Sequence, residues 1–319
     1  MLKTEIVKKI KKLKQEKNAV LLAHYYQRSE VQDIADFLGD SLQLSQAAAK
    51  TEADIIVFAG VHFMAETAKI LSPEKKVLIP DLNAGCSLAN SCKAEDLKKF
   101  IEQHSGHTVI SYVNTTAQVK ALTDICCTSS NALQIINGLP KDEKIIFGPD
   151  KNLGNYIKSL TGRENMLIWN GACHVHEAFS VEKIIALKKQ YPQAKVLAHP
   201  ECKAPVLMLA DYIGSTAALL AFSATDDTQT YLVATESGII HQMQQKSPEK
   251  EFISVSSSNA LDSNVDDTCG ACSDCEFMKL ITLEKIYDAL LYEQFEVNVE
   301  ENIRKKAEKS IIKMLELSK

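Results

Sequence analysis

Short apolar runs recur along this chain, separated by longer amphipathic stretches. They fall at Ala19–Ala23, Ile55–Ala59, Val77–Ile79, Val109–Val113, Ile145–Phe147, Leu167–Trp169, Val196–Ala198 and Leu232–Ala234. A strand with one wet face alternates apolar and polar residues. An unbroken apolar run is buried on both faces, as in a parallel sheet with helices on either side. The intervening stretches are long enough for the crossover helices that parallel strands require. The pattern therefore predicts an α/β fold with parallel sheets.

The runs repeat with a fixed interval, and so do the polar residues at their ends. His24, Tyr112 and His199 are separated by 88 and 87 residues. The same steps separate Tyr26, Asn114 and Glu201, and again Ser41, Ser129 and Thr216. Gly60, Gly148 and Thr235 follow the mid-unit runs at the same steps. This period is too long for a solenoid repeat. It predicts one small α/β unit written three times, over about 1–92, 93–179 and 180–319, around a pseudo-threefold axis. Ligands of open parallel sheets bind beyond the carboxyl ends of the strands, so three such ends facing one axis would enclose a single pocket.

Composition narrows the function classes. Apolar residues make up 45% of the 319 and charged residues 24%, ordinary for a globular chain, and the net charge of −5 argues against a dedicated nucleic-acid binder. The run Lys8, Lys9, Lys11, Lys12, Lys14 and Lys17, interleaved with Glu5 and Glu16, reads as a solvated helix face. No apolar run reaches membrane-spanning length and no secretory signal is visible, so a cytoplasmic location is expected. Nine cysteines in such a chain favour metal or redox chemistry over structural disulfides.

The cysteines carry the chemistry. Cys86 and Cys173 lie 87 residues apart in the similar loops Ala84-Gly85-Cys86 and Gly171-Ala172-Cys173. Small neighbours allow backbone N–H groups close to a sulfide-rich cluster. The third thiol-bearing segment, Cys269-x-x-Cys272-x-x-Cys275, comes later than strict periodicity would place it, near Ala260. Its spacing suits zinc, a cluster or a dithiol switch. One thiol from it, joined to Cys86 and Cys173, makes three protein ligands, and a 4Fe–4S cluster so held keeps one iron open as a Lewis acid. Cys92, Cys126, Cys127 and Cys202 break or lack the period and read as packing or surface thiols. The hydroxyls Ser41, Ser129, Ser215 and Thr216 stand at helix starts, where they cap the helix, bind an anion, or do both. A redox or iron sensor and a zinc-stabilised structural protein are the competing classes, and neither requires the repeated polar set.

Together, several segments identify a family. They are Ala23-His24-Tyr25-Tyr26-Gln27, Gly39-Asp40-Ser41, Gly60 through Ala68, Tyr112-Val113-Asn114, Thr128-Ser129-Ser130 and Gly148-Pro149-Asp150-Lys151. His199-Pro200-Glu201, Gly214-Ser215-Thr216 and the cysteine loop complete the set. Over nearly its whole length the chain resembles the quinolinate synthase (NadA) family of de novo NAD synthesis.

The resemblance implies three homologous α/β domains around a central 4Fe–4S cluster. It implies a transferase that condenses iminoaspartate with dihydroxyacetone phosphate to quinolinate, losing phosphate and water. Functional coupling to the aspartate-oxidising enzyme that supplies iminoaspartate is a further expectation. Carried over by motif, Cys86, Cys173 and Cys275 are the cluster ligands, the last because Cys275-x-x-Met278 matches the family's ligand context. Cys269 and Cys272 then resemble a redox-sensitive pair. Substrate contacts fall on His24, Tyr26, Ser41, Tyr112, Asn114, Ser129, His176, His199, Glu201 and Thr216. Tyr112 and Glu201 are the expected acid/base pair. The sequence Ala217-Ala218-Leu219-Leu220 after Thr216 offers no further polar residue for phosphate.

Overall fold

The structure is a computed structural model that describes residues 3–255 and 273–319. Its strands form three parallel sheets of identical topology. The first contains β1 (Ala19–His24), β2 (Phe37–Gly39), β3 (Ile55–Ala59) and β4 (Lys76–Leu78). The second contains β5 (Thr108–Tyr112), β6 (Ile125–Cys127), β7 (Ile145–Phe147) and β8 (Met166–Ile168). The third contains β9 (Lys195–Ala198), β10 (Tyr212–Ile213), β11 (Thr230–Ala234) and β12 (Glu251–Ser254). The spatial orders are β2-β1-β3-β4, β6-β5-β7-β8 and β10-β9-β11-β12, with every pair parallel. The α/β class and the threefold unit read from the apolar runs are thus present.

The unbroken runs are buried as the parallel arrangement demands. All five residues of β3 and all three of β7 are buried, as are the last five of β1. Four strands carry no such signature. The strands β2, β6 and β10 are edge strands of two or three residues, and β12 at the opposite edge carries Glu251 and Ser254. Each pairs on one side only, so little packing constrains its sequence.

The sheets do not each keep a separate core. One apolar core runs through the first two, joining Leu22 and Phe58 to Ile125 and Phe147. The helix Glu301–Leu317 seals it, although it follows the third sheet in sequence. Its buried residues Arg304, Ala307, Ser310, Ile311 and Met314 recur at helical spacing and pack on β6 and the turn Ala117–Lys120. Ser310 Oγ donates to the Lys120 carbonyl at 3.0 Å and lies 3.3 Å from Cys126 Sγ. At the other end, the helix Lys3–Glu16 buries Ile6 and Ile10 and packs on the helix Leu283–Tyr292. Its lysines pair with acids at the surface: Lys9 with Glu5 at 3.1 Å, Lys12 with Glu16 at 3.4 Å and Lys14 with Asp36 at 2.7 Å. Among the described residues no helix is long and apolar enough to cross a membrane.

The late packing of the last helix is directly testable. Ile311 is fully buried beneath it, and Ile311→Ala is expected to cost about 2–5 kcal/mol of unfolding free energy, the range for a large core aliphatic cut to alanine. Urea denaturation followed by circular dichroism measures it. An unchanged midpoint would show that this helix lies outside the cooperative core.

Candidate functional site

The first strand of each sheet delivers one aromatic or imidazole side chain to the centre. His24 ends β1, Tyr112 ends β5 and His199 follows β9 directly. All three line one cavity, together with Tyr26, Asn114 and Glu201 from the same strand ends. The second strands lead to helix starts and contribute Ser41, Ser129 and Thr216. His176, Cys86, Cys173 and Cys275 complete the lining among the residues singled out in the sequence. Cys269 and Cys272 lie outside the described residues. Cys92, Cys126, Cys127 and Cys202 are buried in apolar cores away from the cavity.

The helix starts divide capping from lining. Asp40, not Ser41, caps the helix Ser41–Lys50, accepting from the N–H groups of Leu42 and Gln43 at 3.1 and 3.0 Å. Gln43 Oε1 returns a bond to the Asp40 N–H, closing a capping box. Ser215 caps the third-unit counterpart by accepting the Ala218 N–H at 3.3 Å. Ser41 and Thr216 are first helical residues, so their hydroxyls are left for the cavity.

The two histidines share one local geometry. The Tyr26 N–H donates to His24 Nδ1 at 3.1 Å, and the Glu201 N–H donates to His199 Nδ1 at 3.3 Å. A ring nitrogen that accepts carries no proton, so each neutral ring keeps its proton on Nε2. His199 Nε2 then donates to Ser129 Oγ at 3.1 Å. Burial pushes both imidazoles down to about 3, for His24 with Lys279 adding to the effect. Both rings are therefore neutral donors at physiological pH. His176 stacks on His199 with ring centres 4.7 Å apart, and its Nε2 meets Thr235 Oγ1 at 3.0 Å.

Glu201 is the buried charge of the site. Its Oε1 accepts the Tyr112 hydroxyl at 2.6 Å. Its Oε2 lies 3.3 Å from His176 Nδ1, off the line of a hydrogen bond. Burial works against ionisation, but the adjacent His176 and His199 and the Tyr112 bond hold the carboxyl below its ordinary value. Burial raises Tyr112 well above the ordinary phenol value, and the neighbouring Glu201 charge raises it further. The pair is thus a carboxylate receiving a phenol proton across the boundary between two units. Nearby, the Tyr26 hydroxyl sits between Thr216 Oγ1 at 2.7 Å and Thr235 Oγ1 at 2.8 Å. Asn114 Oδ1, like His176 Nδ1, is buried without a partner. Such an orphan costs about 1–3 kcal/mol, which a ligand donor entering the cavity would recover.

The three thiols occupy matching positions. Cys86 and Cys173 each precede a one-turn helix, Ser87–Asn90 and His174–Glu177, and Cys275 precedes the turn Met278–Leu280. Backbone N–H groups of Leu88 and Ala89 point at the Cys86 sulfur, that of His176 at Cys173, and those of Phe277 and Met278 at Cys275. Burial pushes the Cys86 thiol up to about 11 and Cys275 to about 12, and raises Cys173 as well. Half-buried thiols with N–H groups aimed at sulfur suit a centre whose positive charge deprotonates its ligands. Cys173, His176 and Glu201 also place donor atoms within 4.8 Å of one another.

Sequence reasoning missed several lining residues. Asp40, Phe63, Met64, Thr128, Glu236 and Met278 also face the cavity. Glu236 had a signal, because it follows Thr235, itself on the repeat period behind Gly60 and Gly148. The apolar members carry none that separates them from core residues.

Comparison with known proteins identifies the family. The family model described as quinolinate synthetase A protein (NadA) matches residues 8–316. Quinolinate synthase of Microcystis aeruginosa is 56% identical over 309 residues, covering 97% of this chain and 94% of its own. That of Chloroherpeton thalassium is 54% identical over 315 residues, covering 99% and 95%. That of Synechocystis is 54% identical over 314 residues, covering 98% and 96%. Matched over nearly all its length by both the family model and these relatives, the chain belongs to the quinolinate synthetase A family.

Proposed function

We propose that this chain is a quinolinate synthase, a transferase of NAD biosynthesis that joins iminoaspartate to dihydroxyacetone phosphate. The products are quinolinate, phosphate and water. The observation that carries the reading is the meeting of three half-buried thiols, one from each unit, with the Tyr112–Glu201 pair in one cavity. Cys86, Cys173 and Cys275 would hold a 4Fe–4S cluster, and the aimed N–H groups and apolar surroundings of the sulfurs fit that donor set. Three thiolate ligands leave one iron open, which supplies Lewis acidity toward a substrate carbonyl or hydroxyl.

The remaining chemistry belongs to the chain itself. Both substrates are anionic, and the neutral His24 and His199 with Ser41, Ser129 and Thr216 offer N–H and O–H donors. Asn114 Oδ1 is an acceptor ready for the substrate's own donor, an imine N–H or a hydroxyl. Ring formation requires protons to leave carbon and to reach departing hydroxyl groups. Tyr112 can give a proton toward the substrate while Glu201 accepts one, and their shared bond keeps the two states coupled. A cytoplasmic setting, and supply of iminoaspartate by an aspartate-oxidising enzyme, belong to the same reading.

Two measurements check it. Prepared without oxygen, Cys86→Ser, Cys173→Ser and Cys275→Ser should each lose stably bound iron and sulfide, whereas Cys92→Ser and Cys202→Ser should retain both. Full iron in any one of the first three variants would remove that cysteine from the ligand set. In metal-replete protein supplied with iminoaspartate and triose phosphate, Tyr112→Phe and Glu201→Gln should bind substrate but form quinolinate about 100-fold or more slowly, the scale of a lost positioned acid or base. Single-turnover kinetics decide the matter, and near-native turnover in both variants would move proton transfer to His24 and His199.

A further inference from the structure

The loop after the mid-unit strand grips the cysteine loop in every unit. The N–H groups of His62, Lys151 and Ser237 donate to the carbonyls of Ala84, Gly171 and Ser273 at 2.7, 2.7 and 3.3 Å. Each acceptor lies two residues before Cys86, Cys173 or Cys275. These matching bonds align the three loops residue by residue. The position just before each donor is then Val61, Asp150 or Glu236.

Two of those three equivalent positions carry a carboxylate, and each bonds the backbone of a cysteine. Asp150 Oδ2 accepts the Cys173 N–H at 3.0 Å. Glu236 Oε1 accepts the Cys275 N–H at 3.1 Å. Both side chains are essentially without solvent exposure, at 0% and 1%. The remaining oxygens are also occupied. Asp150 Oδ1 caps the helix Lys151–Thr161 through the N–H groups of Asn152 at 2.6 Å and Leu153 at 3.0 Å. Glu236 Oε2 accepts the Gly238 N–H at 2.8 Å. Lys279 Nζ lies 2.8 Å from Glu236 Oε1 and donates to the Tyr26 carbonyl at 2.7 Å, so the Cys275 loop is tied to the first unit as well.

Capping alone does not account for Asp150. A cap needs one oxygen, and serine or asparagine supplies it as well as aspartate. Burying a second polar oxygen is costly unless its bond is used. Here the bond fixes the main chain from which a sulfur hangs, and the same device recurs in the third unit on an unrelated local sequence. Val61 shows that the fold tolerates an apolar residue at this place, so the carboxylates are not a general requirement of the unit.

We infer that Asp150 and Glu236 are positioning residues for the metal centre, holding the main chain of Cys173 and Cys275 so that both sulfurs are placed before metal binds. The inference rests on the proposed ligand set. It gives the centre a built-in asymmetry: a carboxylate holds the cysteine N–H in two ligand loops, whereas in the Cys86 loop Asp81 holds the Asn83 N–H at 2.8 Å and, among the described residues, no side chain holds the Cys86 N–H.

Iron release to a chelator from anaerobic, metal-replete protein tests it, with thermal unfolding of each variant measured alongside. Asp150→Asn and Asp150→Ser both keep a helix cap but remove the acceptor facing Cys173. Glu236→Val imports the residue used by the first unit, and Glu236→Gln restores an amide oxygen for the Cys275 N–H. Release should rise about 10-fold or more in Asp150→Asn, Asp150→Ser and Glu236→Val, the usual scale for losing a group that orients a metal ligand. Glu236→Gln should recover most of that loss through its amide oxygen, and faster release from Glu236→Val with an unchanged unfolding temperature separates positioning from packing. Wild-type release in Asp150→Asn and Asp150→Ser, beside iron loss in Cys173→Ser, would overturn the positioning role alone. Full iron in Cys173→Ser would overturn the ligand assignment, and the positioning role with it.

Discussion

Polar groups buried at the meeting point of three sheets must satisfy one another, and that constraint holds this molecule together. Many of the bonds at the centre cross from one unit to another. Tyr112 from the second unit donates to Glu201 of the third, and His199 of the third reaches Ser129 of the second. Tyr26 of the first lies between Thr216 and Thr235 of the third. Ser130 donates to Asp40 at 2.8 Å, joining the second unit to the first. A buried polar group left alone costs more than a paired one gains, so separating any two units exposes several such losses together. The same bonds that assemble the units also set the protonation of the site. Neutral imidazoles and a neutral phenol follow first from burial, and the ionised carboxylate from the neighbours that offset its burial.

The fold was legible wherever burial on both faces left an unbroken apolar run. The central strands β1, β3, β5, β7, β9 and β11 all carry it. Of the edge strands β4 and β8 also carry a short run; the others do not stand out, because a strand paired on one side and only a few residues long needs little in its sequence beyond room to extend. The path of the last helix was also hidden. Its apolar stripe says that it packs, but nothing in Glu301–Leu317 says that the surface it covers belongs to the first two units.

The site was legible through repetition. Groups at equivalent strand ends show as pairs and triplets at one interval, which is how His24, Tyr112 and His199 stood out. Cys275 falls off that interval because far more chain separates it from β12 than separates Cys86 from β4. Its place came from the family's sequence context instead. Asp150 and Glu236 escaped for a different reason. Their partners are backbone N–H groups, which every residue possesses, so no sequence pattern marks the contact. Only the alignment of main-chain bonds between units reveals that they are equivalents.

The position of the last helix has a consequence for biosynthesis. Residues 301–317 leave the ribosome after every strand has emerged, yet they cover β6 and help close the core shared by the first two sheets. Domains made early in translation ordinarily finish folding while the rest is being made. Here the earliest-made half of the chain keeps an apolar surface open until the final helix arrives. A nascent chain of this protein therefore holds Cys86 and Cys173 on an incomplete scaffold, and the closed, water-poor centre is a property of the finished polypeptide.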